Sequence, residues 1–501
     1  MIDKNPVSIG IVGSGTAGLI SALIFRKAFP FSDITIVSSS QKGIIGVGEG
    51  STEHWREFMD ICDIGVEDLI INAGATHKYG IRFENWNNKN SDYFHSVSGV
   101  QDIFAFGIHA EYLKFFEDDK MLTSQTGSIG LVRNQIMKEN LHNNTNQFHF
   151  DTFKLNDYLT SLCFARSIKF VDDEVVAINT DERENIKSVA TKLNGDIAAD
   201  VWIDASGFSR TLMTMMGNTE FVSFSEYLPC DSAIAFPTEE DTNNQIKPYT
   251  RAIACSSGWM WEIPTQERRG NGYVFSSKFL SEEEAVAEAE QVCGYKIEKH
   301  RFFQFNPGYL KTQWHKNCIA IGLSSSFVEP LEATSIGATI IQAKTVVAGI
   351  SSYTPSSVAI QKDYNKTMAE TMENLLTMIR LHYVSDRVDT PFWRHMKTVP
   401  LNKTLQDLLD IWSERPPSRY DVSHQHNLLF SSRHFAHVVQ GQGLVPPEPS
   451  TSAMFNMGLR QIVEKQSDAI RVSRYSRELV DHKKALQDTH NADKEYNNHN
   501  G

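Results

Sequence analysis

The sequence predicts an α/β fold built on a parallel sheet and followed by a mostly helical region, and three features carry that expectation. The short apolar strand Val7–Val12 runs into Gly13-Ser14-Gly15-Thr16-Ala17-Gly18 and then into the helical pattern of Leu19–Phe25. Further apolar strands, Asp33–Val37, Ala199–Asp204 and Cys318–Leu323, recur along the chain. Helical apolar spacing then begins near Thr334 and dominates from about residue 351 onward. A Rossmann-like dinucleotide-binding unit with a helical C-terminal region satisfies all three.

The first strand and turn form the G-x-G-x-x-G fingerprint in its required strand–turn–helix context. Gly13 allows the tight turn, Gly15 lets bare backbone approach a pyrophosphate, and Gly18 lets helix and strand pack closely. The helix N-terminus would meet phosphate oxygens with free N–H groups, so a bound dinucleotide is expected. The alternative is a Gly-rich turn in an ordinary βα unit.

At 501 residues with 41% hydrophobic content, the chain can bury large cores and should hold two or more regions. Its formal net charge of -13 argues against a nucleic-acid or anionic-membrane partner, since both need clustered positive charge. No charged-then-apolar leader precedes the first strand, and no apolar run reaches membrane-spanning length, so a cytoplasmic protein is expected. Cys62, Cys163, Cys230, Cys255, Cys293 and Cys318 lack C-x-x-C spacing, which argues against a zinc site or a disulfide framework.

Asp33–Val37 ends at Ser38, where a site of this kind usually places an acid to accept the ribose hydrogen bond. Ser38-Ser39-Ser40 offers only hydroxyls, which predicts a looser grip and an exchangeable cofactor, and weakens the case for a nicotinamide dehydrogenase. Gly46-Val47-Gly48-Glu49-Gly50-Ser51-Thr52 suits backbone lying against a ligand, with Ser51 and Thr52 available to cap the next helix. The same spacing fits a ligand-free loop equally well. Ala75–Trp86 alternates like a half-buried strand, which puts Lys78 on the side of Gly80 and Arg82 and reads as a solvated edge charge. Residues 90–146 are irregular, with His95, Phe104, Phe106 and His109 available to line an aromatic pocket or to sit on a surface excursion.

Ala199–Gly207 reads as a buried strand ending in Asp-x-x-Gly, where a second part of the dinucleotide would lie. In Gly258–Pro264, Trp259 and Trp261 share a face of one extended segment, which is either core or a rigid wall, and Pro264 stops the strand. A helix N-terminus near Thr334 offers an anion site, with Glu332 just before it as a favourable dipole partner. Thr367–Leu381 and the stretch from Ser452 to Ser476 read as amphipathic helices, and the polar tail from His482 to Gly501 as disordered. The domain division expected is 1–350 for cofactor binding and catalysis, 351–480 for a helical substrate-side region, and 481–501 for the tail.

Several of these motifs together resemble the flavin-dependent tryptophan halogenase family: the fingerprint, Gly48–Thr52, Lys78 with Ile81–Trp86, Trp259-x-Trp261-x-Ile263-Pro264, Phe327–Thr334, His382-Tyr383 and Asp389–Trp393. The likeness runs from the start of the chain to about residue 400, and W-x-W-x-I-P is its specific element. The resemblance implies a box-shaped FAD domain of flavin monooxygenase type under a helical pyramid. It implies a cofactor site of Gly13, Gly15, Thr16, Ala17, Gly18, Ser38, Gly48, Glu49, Gly322, Ser326 and Ile336. A halide would sit at the backbone amides of Thr334 and Ser335, behind a wall of Trp259, Trp261, Pro264, Phe327 and Pro330.

Reduced FAD from a separate reductase, with O₂, would convert halide to hypohalous acid, which travels inside the protein to Lys78. The resemblance thus moves Lys78 from a solvated to a catalytic reading, with Glu332 orienting the reagent and taking the ring proton. Ala333 and Ser335 depart from many relatives, and residues 430–445 lack the tyrosine pair and glutamate with which free-tryptophan enzymes clamp their substrate. An indole or other electron-rich aromatic is therefore expected, with His95 as a ring-facing residue and homo-oligomerisation left open. A flavin-dependent aromatic hydroxylase and a non-catalytic flavoprotein are the other readings.

Overall fold

The computed structural model describes residues 6–43, 49–88, 92–96, 104–105, 108–109, 135–138, 147–239, 245–351, 357–415, 417–422, 428–444, 465 and 478–500. A six-stranded sheet organises the first two thirds, in the order Lys169–Asp172, Ile34–Ser38, Ile9–Val12, Val201–Asp204, Cys318–Ala320, Trp314–His315. All its pairings are parallel except the last. Chain order reverses between Ile9–Val12 and Val201–Asp204, which is where a doubly wound sheet opens a crevice for a ligand. The glycine turn leaves the sheet at that point.

Two of the three fingerprint glycines, Gly13 and Gly18, have a packing reason. Gly13 holds φ +111°, and a Cβ there would lie 2.3 Å from the Ala205 carbonyl oxygen. A Cβ on Gly18 would lie 2.1 Å from the Gly13 oxygen, so helix Thr16–Ala28 can seat against the turn only without one. Gly15 has nothing within 4 Å of its Cβ position and provides no side-chain cap, leaving the first helical N–H groups facing open space.

A seven-stranded sheet lies alongside, in the order Arg301–Gln304, Ser232–Thr238, Arg269–Phe275, Gly258–Pro264, Tyr249–Ala254, Gly80–Glu84, Tyr93–Ser96. A three-stranded sheet, Glu49–Gly50, Phe148–Phe150, Thr76–His77, joins it. The single strand expected over Ala75–Trp86 is thus two, Thr76–His77 and Gly80–Glu84, in different sheets. Lys78 and Tyr79 make the crossing, their amides donating to Gln147 and Pro248 carbonyls. Lys78 consequently leaves the Gly80–Arg82 alternation and is buried, not solvated.

Ser51 and Thr52 do not cap the next helix. Glu53 occupies that position without a side-chain capping bond, while Ser51 Oγ accepts from the Phe148 amide. The helical region comprises Thr334–Ser351, Val358–His382, Pro391–Met396, Lys403–Trp412 and Ser432–Gly441. The tail expected to be disordered is instead the helix His482–Asn500. Composition misleads there because a few residues anchor it: Ala485 and Leu486 are buried, and His482 Nε2 accepts from the His77 amide while Nδ1 donates to the Ile246 carbonyl. Gly48, Phe106, the side chains of Phe104 and His109, and the stretch 452–476 apart from Lys465 lie outside the described residues. No helix among the described residues is long and apolar enough to cross a membrane.

Candidate functional site: two cavities divided by one layer of chain

A cavity of about 590 Å³ opens at the sheet's crevice. Gly13, Gly15, Thr16, Ala17, Ser38, Glu49, Gly322, Ser326 and Ile336 line it, whereas Gly18 packs behind the turn. Asp204, at the end of its strand, binds no open space. Its carboxylate accepts from Ser206, Ser324 Oγ and the Leu212 and Met213 amides, drawing the loops at Gly207 and Gly322 together under the cavity. Burial pushes the Glu49 carboxyl up to about 7, against a hydrogen bond with Thr16.

Trp259 and Trp261 both face this cavity, with Phe327, Pro330, Thr334 and Ser335 around them. Met260, between them, points into the apolar cluster on the sheet's other face. Pro264 ends the strand outside the lining, and its carbonyl accepts from Thr76 Oγ1. Thr334 and Ser335 open the helix Thr334–Ser351. Ala333, at φ +55°, makes the sharp turn before it, with its amide on the Pro330 carbonyl.

A second, small cavity of about 20 Å³ contains both Lys78 and Glu332, room for roughly one water. Ser51, Gly80, Ile81, His95, Leu429, Phe430 and His434 are also on its wall. The two cavities share Ile81, and successive residues face opposite ways across the divide. Gly50 lines the large cavity and Ser51 the small one, while Leu331 and Ala333 line the large one and Glu332 the small one.

Lys78 is 1% exposed and donates to the Ser51 carbonyl at 2.8 Å. Burial pulls its ammonium down to about 8, outweighing the opposite pull of Glu332. Glu332, 3% exposed, accepts from His95 Nδ1 at 2.8 Å and from His382 Nε2 at 2.7 Å. Burial raises its carboxyl, but the two imidazoles outweigh that and hold it well below the usual carboxylate range. His95 therefore contacts the acid directly, a role its sequence context does not reveal. His382, Tyr93 and Glu329 also escape a reading by local pattern. Their partners lie 50 or more residues away, although two glutamates three apart in Phe327–Glu332 hint at a paired role.

Gly-rich turn, uncapped helix N-terminus and the cavity at the crevice fit an FAD, with Gly13–Ala17 placed for its pyrophosphate. Fold and site together define an FAD-dependent oxidoreductase of the flavin monooxygenase type. The family model for tryptophan halogenase matches residues 8–456. The chain belongs to that family: it is an enzyme, a flavin-dependent halogenase of aromatic substrates that uses reduced FAD, halide and O₂. Among relatives, tryptophan 7-halogenase RebH of Lentzea aerocolonigenes is 30% identical, covering 90% of this chain and 91% of its own length. Tryptophan 6-halogenase SttH of Streptomyces toxytricini is 29% identical, covering 90% and 92%. The crystal structure of a tryptophan halogenase from Shewanella frigidimarina superposes with a TM-score of 0.89 at 25% identity, covering 98% of each chain. BrvH, a flavin-dependent halogenase from Brevundimonas sp. BAL3, gives 0.84 at 27%, covering 97% and 99%.

Proposed function

We propose that this halogenase activates halide in the large cavity and transfers the halogen to an indole or other electron-rich aromatic at Lys78. Bound reduced FAD supplies the chemistry with O₂ that turns halide into hypohalous acid. Amides at the start of Thr334–Ser351 hold the halide, and Trp259 and Trp261 keep the organic substrate off the flavin. The observation that carries this reading is that Lys78 and Glu332 share one small cavity, separated from the glycine-lined one by a single layer of chain. Lys78 donates to the hypohalous oxygen or carries the halogen on its nitrogen, in either case making the halogen more electrophilic. Glu332 supplies a fixed negative charge beside the cationic ring that forms on halogen transfer. A ring enters only if side chains lining the small cavity yield, because its volume holds little more than a water.

Phe430–Val445 contains no tyrosine and no acid, which leaves the charged groups of a free amino acid without a matching clamp and favours a substrate other than free tryptophan. Electrons come from a separate flavin reductase. Purified protein, a reductase, each halide in turn and a panel of indoles and phenols, read by mass spectrometry, test the proposal. A halogen-bearing product that disappears in Lys78→Ala, with FAD binding retained, is expected. Hydroxylated product without halide, or halogenation at the native rate by Lys78→Ala, would overturn it.

A further inference from the structure

We propose that His95, held by Glu332, is the base that takes the ring proton after halogen transfer, which rests on the reading that Lys78 delivers the halogen into this cavity. Glu332 lies between two histidines, and their hydrogen bonds settle which one is available. An ionised carboxylate only accepts, so any ring nitrogen bonded to it carries the hydrogen, and the other nitrogen of a neutral imidazole is then a bare lone pair.

His382 has no such lone pair to offer. Its Nε2 donates to Glu332 Oε1, its Nδ1 accepts from the Tyr93 hydroxyl at 2.9 Å, and its ring stacks on Phe83 at 4.4 Å. His95 donates through Nδ1, at 2.8 Å from both Glu332 oxygens, and its Nε2 is buried without a hydrogen-bond partner among the described residues. His95 is 2% exposed and lines the cavity that holds Lys78. A buried, unsatisfied ring nitrogen costs free energy in the resting protein and calls for a role. Here the role is proton acceptance beside the halogen donor.

Glu332 itself is poorly placed to be that base, because both its oxygens already accept from imidazole N–H groups. The arrangement is instead that of a carboxylate fixing the tautomer of a histidine and stabilising the imidazolium that forms. As the C–X bond forms, the halogen–oxygen bond of hypohalous acid breaks with its electron pair left on oxygen. The ring C–H bond then breaks, its pair restores aromaticity, and the proton lands on His95 Nε2. Return of that proton to the departing hydroxide gives water, so aromatic plus hypohalous acid becomes haloarene plus water.

The groups facing His95 are Glu332, Lys78, His434, His437 and Glu53: the two histidines have ring centroids 5.3 and 5.7 Å from its own, and Glu53 lines the same cavity beside His434. His95→Asn keeps an N–H donor for Glu332 and removes the accepting nitrogen. In single-turnover bromination of indole and ring-perdeuterated indole by the full chain with FAD and reductase, the wild type should consume both at one rate. His95→Asn should be about a hundredfold slower, and slower still on the deuterated ring, because proton loss becomes limiting. Equal slowing on both isotopologues, or no slowing, overturns the proposal. A second measurement needs no substrate. In ¹⁵N-histidine-labelled protein near neutral pH, the Nε2 resonance missing from His95→Asn should be that of an unprotonated nitrogen, and a protonated Nε2 overturns the proposal. If the wild type leaves indole untouched with every halide, the substrate reading fails while this resonance still decides the role of His95.

Discussion

Trp259 donates its indole N–H to Glu329 Oε2 at 2.6 Å, and the Tyr383 hydroxyl donates to the same oxygen at 2.6 Å. Glu329 thus pins the tryptophan wall of the large cavity to the end of the long helix Val358–His382. Burial pushes its carboxyl up to about 7, against the pull of both bonds.

That shift gives Glu329 a signed effect on stability. The unfolded carboxyl ionises near its ordinary value, whereas the folded one holds its proton to about 7. Stability from this group is therefore complete below about 4.5 and is lost as pH rises toward 7. Glu329→Gln, which still offers an acceptor to Trp259 and Tyr383, should remove this part of the slope. Melting temperatures of wild type and variant should converge near pH 4 and separate in the variant's favour by pH 8. A constant difference across that range would mean that folding does not raise the Glu329 carboxyl.

Lys78 should be a site where function is held at a cost in stability. Its ammonium is pulled from 10.5 to about 8 by burial, so the unfolded chain binds the proton more tightly at neutral pH. The penalty is present below pH 8 and vanishes by about 10.5, so stability rises across that window. Lys78→Met, similar in volume, should abolish halogenation yet stabilise the fold at pH 7 by up to about 3 kcal/mol, less the lost bond to Ser51. Denaturant unfolding at pH 7 and 10.5 checks it: the gain should shrink at the higher pH.

The turn at Gly13 is legible in the sequence because its chemistry is local: strand, glycines and helix follow one another within some twenty residues. The tryptophan wall is legible for the same reason, since period-two alternation within one strand sends Trp259 and Trp261 the same way. Lys78 defeats that logic, because alternation assumes one continuous strand and the chain changes sheets at that residue. The bracing of Glu332 is beyond local pattern, since His95 and His382 reach it from 237 and 50 residues away.

Ser38 lines the large cavity at the end of its strand, where a hydroxyl replaces the acid usual at such sites. Asp173 cannot substitute, because its carboxylate is taken by the Glu174, Leu193 and Asn194 amides. Ser38→Glu should restore a charge-assisted bond to a ribose hydroxyl and tighten FAD binding about tenfold, measured by fluorescence titration. Unchanged or weaker binding would place the ribose elsewhere.

Gly50 offers a direct test of the divide between the cavities. A Cβ there would lie 3.3 Å from Lys78 Nζ and 3.5 Å from the Ala333 methyl, at the point where facing residues alternate between the two spaces. The backbone at Gly50 is not in the left-handed region, so alanine adds bulk without conformational strain. The lysine end can yield by a few tenths of an ångström, so folding and FAD affinity should hold. An oxidant passing this way meets a narrower gap and a displaced amine, and a misplacement of about 1 Å at a reacting group can cost about a hundredfold in rate. Gly50→Ala should therefore lose most aromatic halogenation while oxidation of reduced FAD continues, with hypohalous acid appearing in bulk solution on a chemical trap. Full halogenation by this variant would mean that the activated halogen reaches Lys78 by a route that does not pass Gly50.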